Sequence, residues 1–160
     1  MQNNGLQEPV AVKLFKSGLT SDGLPRCEMH ANILAGQYPN LVGIKGVIHN
    51  HPQGTLGLVM PLLGSDLKIL ANPPSFESCS RDVYNHDFVL TPKEAQYILN
   101  GATQAAQHLH TKGLMHGDLY AHNILWNAHK VVLSDLGGAS FLPLDNEVLT
   151  QKLLKLEAVL

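Results

Sequence analysis

Apolar residues in the first sixty positions fall into short clusters separated by turn residues, a pattern that predicts strands and one helix. Residues 9–15 (PVAVKLF) are β-branched and apolar around a single lysine, and read as a strand. Side chains alternate along a strand, so Ala11, Lys13 and Phe15 share one face and Val10, Val12 and Leu14 the other. After the turn-rich stretch Ser17 to Gly23, Pro25 suits the first turn of a helix that runs to about Ala35, with Gly36 as its stop. Leu41 to Ile48 and Leu56 to Met60 read as two more strands, joined by the turn chemistry of Asn50-His51-Pro52-Gln53-Gly54.

Residues 68–90 lose this periodicity. Asn72-Pro73-Pro74-Ser75 and the serines at 78 and 80 mark a loop or an ordered insertion. Thr91-Pro92-Lys93-Glu94 is then a capping box with proline in the first turn, and Ala95, Ile98, Leu99, Ala102, Ala105, Ala106 and Leu109 form a helical stripe ending at Gly113. Gly101, inside that helix, costs roughly 1 kcal/mol against alanine and marks close packing. A polar loop from His116 to Asn123 leads into the strand Ile124–Trp126, a turn at 127–130 and a second strand, Val131–Leu133. Leu144 to Leu160 carries an apolar helical pattern.

Composition narrows the class. Of 160 residues, 44% are hydrophobic and 15% charged, as in a folded globular protein. A net charge of −2 gives no broad attraction to nucleic acid or anionic lipid. Two cysteines, Cys27 and Cys79, make no disulfide framework and suit a reducing compartment; Cys27 is expected half-buried beside Glu28. The start MQNNGLQEPV lacks the character of a signal peptide, and the apolar stretch Leu56 to Leu63 is too short to span a bilayer. The expectation is a cytoplasmic protein with neither nucleic acid nor a membrane as partner.

The chemistry concentrates in His116 to Gly138, HGDLYAHNILWNAHKVVLSDLGG. A hairpin closed at 127–130 brings Asn123 and Asp135 near each other at its open end, where a carboxamide oxygen and a carboxylate suit Mg²⁺ that also holds phosphate oxygens. Asp118, five residues earlier, can orient a hydroxyl for attack. The nine histidines invite a metal reading, but His108 and His110 point to different helix faces and no cysteine pair stands nearby. His116 is better read as structural. Trp126 and the aliphatic residues of the hairpin are expected in the core.

This ordered set resembles the protein kinase superfamily, in which an H-R-D-L-x-x-x-N loop is followed by a hairpin and D-F-G. Here they are HGDLYAHN and Asp135-Leu136-Gly137, preceded in order by VAVK at 10–13, Glu28, YPNLVGIKGV at 38–47 and LGLVMPLLG at 56–64. The resemblance implies an α+β, two-lobe fold. A small antiparallel sheet with one helix (1–66) would be followed by a mainly helical C-terminal part (67–160) bearing the catalytic loop. It further implies Mg²⁺ and ATP in the cleft between the lobes. Lys13 would hold the nucleotide's phosphates and Glu28 would hold Lys13. Asn123 and Asp135 would carry the metal, and Asp118 would act as base towards the hydroxyl of a protein substrate. Ala11, Met60 and Leu63 would line the adenine site.

Four features depart from the family. Gly117 replaces the arginine of H-R-D, and Tyr120 stands where many members have lysine. No G-x-G-x-x-G precedes VAVK, and no A-P-E follows the DLG triplet, so a domain truncated at both ends is the expectation. The HGD triplet also occurs in small-molecule kinases of the aminoglycoside and choline phosphotransferase type. A pseudokinase that binds without transferring phosphate is the third alternative.

Overall fold

The chain reverses at Gly54, whose N–H donates to His51 O (2.8 Å) with the glycine at φ 68°, and this turn sets two strands antiparallel. They are β2 (Gly46–Ile48) and β3 (Gly57–Pro61), and β1 (Val10–Leu14) pairs with the other edge of β3, giving a three-stranded sheet in the order β1-β3-β2. The computed structural model describes residues 8–15 and 24–142; the turn expected within 17–23 and the helical pattern at 144–160 lie outside the described residues. Along β1 the odd and even positions alternate as their side chains require: Val10, Val12 and Leu14 are exposed, Ala11 and Lys13 half-buried, and Phe15 buried.

Helix α1 (Pro25–Ala35) has proline in its first turn and ends at Gly36, which adopts φ 65°. It buries Glu28, Met29, Ala31, Asn32 and Ala35. Met29 joins Phe15 and Leu58 in a small core beneath the sheet, bordered by Met60. Cys27, expected half-buried, is exposed, because it lies outside the inward arc that begins at Glu28 and Met29.

The strand expected over 41–48 is shorter than its apolar run suggests. Only Gly46–Ile48 pairs with β3, while Leu41 makes a single parallel bridge to Leu133. The backbone there is committed elsewhere: Leu133 N–H donates to Asn40 O (2.8 Å) and Val42 N–H to Leu133 O (2.9 Å). The Asn40 side chain adds a hydrogen bond to Val131 O (2.9 Å).

In the aperiodic region, β4 (Lys68–Ile69) adds to the edge of the hairpin formed by β6 (Ile124–Trp126) and β7 (Val131–Leu133), in the order β4-β6-β7. Asn72 and Val83 form a bridge that closes the intervening chain into an ordered loop. Helix α2 (Pro92–Thr111) begins with the complete capping box, Thr91 and Glu94 each satisfying the other's backbone N–H.

Its buried face is Ile98, Gly101, Ala102, Ala105 and Leu109; Ala95 and Leu99, expected on the stripe, are exposed. Gly101 lies against β7 so closely that a Cβ there would sit 2.6 Å from Val131 Cβ, the close packing anticipated from its place in the helix. Helix α2, the hairpin and α1 share the main core, which Trp126 borders half-buried. A pair of two-residue strands, β5 (Leu114–Met115) and β8 (Ser140–Phe141), completes the architecture. Among the described residues, no helix is long and apolar enough to cross a membrane.

Candidate active site

Three residues far apart in sequence meet at the Lys13 ammonium. Nζ lies 2.6 Å from Glu28 Oε1 and 3.4 Å from Asp135 Oδ1. The alternation of β1 turns Lys13 inward above the Phe15 ring, 5.8 Å from its centroid. The inner face of α1 presents Glu28, which is 6% exposed. Burial alone would lower the Lys13 pKa, but the two carboxylates more than offset it and raise the pKa above the usual lysine value, so the side chain is charged. Removing Lys13 would leave Glu28 buried without this counter-charge, which is costly.

Asp135 holds a backbone conformation that most side chains avoid, φ 57°. Its own carboxylate compensates locally by accepting the Gly137 N–H at 3.0 Å. Oδ1 thus takes both Lys13 and Gly137, and the residue lines a cleft.

The loop before the hairpin is organised around His116, which is 3% exposed. Its Nε2–H donates to Ser134 O (2.9 Å) and its Nδ1 accepts the Asp118 N–H (3.3 Å), a pattern that requires the neutral ring. Burial pushes its pKa below the usual value, with the Ser134 hydrogen bond and the charges of Asp118 and Asp135 only partly opposing. Asn123, also buried, donates from Nδ2 to Asp118 O (2.9 Å) and Asp118 Oδ2 (3.0 Å). Its Oδ1 is the remaining acceptor. Ser134 N–H and Oγ–H both donate to Asn123 O, so the loop is stitched to the chain one residue before Asp135.

Gly117 sits at φ 76°, and a Cβ there would lie 2.0 Å from Gly138 O. The position that carries arginine in the H-R-D pattern has no room for a side chain in this fold.

Sequence reasoning missed two neighbours of this loop, Arg81 and Asp82. The Asp82 carboxylate accepts the N–H groups of Ala121 (3.2 Å) and His122 (3.0 Å), and His122 Nδ1 at 2.8 Å. Desolvation raises its pKa, but these hydrogen bonds outweigh it and hold the carboxyl below its usual range. The Arg81 guanidinium lies 5.0 Å from the Tyr120 ring centroid and 3.8 Å from Asp118 Oδ1. The available signal was faint: Arg81-Asp82 is a charged pair that follows a serine-rich stretch of an aperiodic segment.

Asp118 and Asp135 line a common cleft of about 440 Å³, floored by Gly117, Gly137 and Gly138 and bordered by Arg81. Ala11 and Met60 are direct partners across β1 and β3. Leu63 lines a different cavity, together with Tyr38 and residues 129–131. Of the histidines, His108 is engaged structurally: Nε2 lies 2.8 Å from Ala35 O, and the ring stacks on Tyr38. Among the described residues, no group of three or more His, Cys, Asp or Glu could hold a metal ion without other ligands.

The family model for the protein kinase domain matches residues 2–155. A search among curated proteins returned no match. The model match spans nearly the whole sequence and takes in the strand, helix, loop and hairpin just described. On that evidence the chain belongs to the protein kinase domain family, whose chemistry is kinase-type phosphoryl transfer.

Proposed function

We propose that this protein transfers the terminal phosphoryl group of ATP to a protein hydroxyl. The observation that carries this reading is the Lys13 ammonium shared between Glu28 and Asp135, residues of three separate elements gathered at one point. Such an arrangement presents a fixed positive charge beside a carboxylate, as phosphate binding next to a divalent cation requires.

The donor set fits Mg²⁺. Asn123 Oδ1 and Asp135 Oδ2 are hard oxygens left available by the surrounding hydrogen bonds, and Mg²⁺ commonly takes one or two protein ligands plus substrate phosphates. When bound, the metal neutralises phosphate charge. Lys13 holds the phosphates, and Glu28 keeps its side chain from swinging away. Asp118 accepts the proton of the acceptor hydroxyl, whose oxygen bonds to the terminal phosphorus as the bond from that phosphorus to its bridging oxygen breaks; ADP leaves. Asn123 orients the Asp118 carboxylate through Nδ2. Residues 1–66 and 67–160 serve as the two lobes of this reading. Ala11, Met60 and Leu63 are its adenine-side residues, and the cytoplasm is the compartment that supplies ATP.

The test is a thermal shift with ATP that requires Mg²⁺ and shrinks in Asp135→Ala, followed by transfer of labelled phosphate to generic protein acceptors that is lost in Asp118→Asn. No shift under any condition refutes the nucleotide reading. Binding with no transfer to any acceptor refutes the enzyme and leaves a binding module. Transfer only to aminoglycosides or choline would move the acceptor to small molecules.

A further inference from the structure

The cleft that holds Asp118 and Asp135 contains two carboxylates, and a transferring phosphoryl group adds further negative charge. The loop from His116 to Asn123 contains no lysine or arginine, and Gly117 has no room for a side chain. Among the described residues lining this cleft, Arg81 alone carries a permanent positive charge.

Its placement is built by the fold. The next residue, Asp82, is fastened to the loop by its three contacts to Ala121 and His122. The residue after that, Val83, exchanges both backbone hydrogen bonds with Asn72, at 2.9 and 3.0 Å. The chain is therefore fixed immediately beyond Arg81, and its guanidinium lies against Tyr120 with one nitrogen 3.8 Å from Asp118 Oδ1. That distance is too long for a hydrogen bond, and the side chain is 71% exposed. The planar fork thus retains donors free to take oxygens of an incoming anion.

We propose that Arg81 contacts the terminal phosphoryl group during transfer, as a catalytic residue delivered from the segment before α2 and not from the catalytic loop. Tyr120 is its platform and Asp82 its anchor. The inference rests on the ATP reading above. Arg81 favours the triphosphate over the diphosphate, because only the triphosphate brings its terminal group to the acceptor side of the cleft.

Calorimetry with Mg-ADP and with the Mg²⁺ complex of a non-hydrolysable ATP analogue tests this in the wild type, Arg81→Lys and Arg81→Gln. Loss of a charge-assisted contact at a partly exposed site predicts that Arg81→Gln weakens the triphosphate analogue about tenfold. Binding of Mg-ADP should change less than about twofold, within the small range expected of a surface substitution without a contact. Arg81→Lys should retain more triphosphate affinity than Arg81→Gln. Unchanged triphosphate affinity in Arg81→Gln, or an equal loss for both nucleotides, overturns the assignment while leaving the nucleotide reading intact. A wild type that binds neither nucleotide overturns both, and that result needs no Arg81 variant. Unfolding followed by the fluorescence of Trp126, the single tryptophan, shows that the variants keep the fold.

Discussion

Substituting Gly117 by alanine tests the local geometry of the loop from His116 to Asn123 with one methyl group. Two costs add. The first is conformational: at φ 76° an L-residue pays the left-handed penalty, about 1–2 kcal/mol. The second is steric. The new Cβ would lie 2.0 Å from Gly138 O, a backbone atom that cannot rotate aside. Ordinary carbon–oxygen contacts are about 3.3 Å or longer, so one of the two backbone segments would shift by more than an ångström. Overpacking of this kind costs about 1–3 kcal/mol, for a total of about 2–5 kcal/mol.

Gly54→Ala separates the two costs, because Gly54 has φ 68° and nothing within 4 Å of its missing Cβ. It should lose only the conformational part. Urea unfolding followed by Trp126 fluorescence reads both variants. With a slope of about 2 kcal/mol/M, Gly117→Ala should lower the midpoint by about 1–2.5 M, and Gly54→Ala by about 0.5–1 M. A Gly117→Ala midpoint within about 0.3 M of wild type, or no lower than that of Gly54→Ala, would refute the crowding argument.

Two further outcomes follow from the same physics. At Gly101 an added Cβ would meet Val131 at a cost of about 1–3 kcal/mol, of which helix propensity returns about 1 kcal/mol, so Gly101→Ala should destabilise by up to about 2 kcal/mol; a rise in the urea midpoint would show that α2 and β7 can move apart. His116 is held neutral by burial, so its folded pKa lies below its unfolded value; its contribution is present above about pH 6.5 and is lost as pH falls from there through the folded pKa. The melting temperature should therefore fall between pH 7 and pH 5 by more in the wild type than in His116→Asn, and equal slopes would count against it.

What could be read from the residues alone was the local chemistry. Thr91 and Glu94 cap α2 because both partners of a capping box lie within one turn, and Pro25 and Gly36 bound α1 for reasons of backbone geometry. Lys13, Glu28 and Asp135 were legible only through the order of the motifs, since nothing local brings residues 15 and 122 positions apart together. The run 41–48 misled because its apolar residues satisfy two neighbours, the first half bonding to β7 and only the second half pairing with β3. Arg81 and Asp82 were hidden because their partners lie about 40 residues on and their segment has no period to follow. Helix α2 buries a narrower face than its apolar stripe suggests, since Ala95 and Leu99 are exposed and, among the described residues, no element lies opposite them.

Helix α1 is fastened to the sheet by Met29 and to the rest of the fold by its C-terminal end, so the helix and the sheet tilt together as one lever. Ala35 O is held by His108, and residues 40 and 42 are bonded to Leu133, so the C-terminal end is pinned to both α2 and the hairpin. Glu28 lies seven residues from that pivot, an arm of about 10 Å at 1.5 Å per residue. A tilt of roughly 15° would carry its carboxylate nearly 3 Å. Small rotations about that fulcrum would carry Lys13 and Glu28 together, and so open or close the 3.4 Å contact of Lys13 with Asp135 on the pinned side.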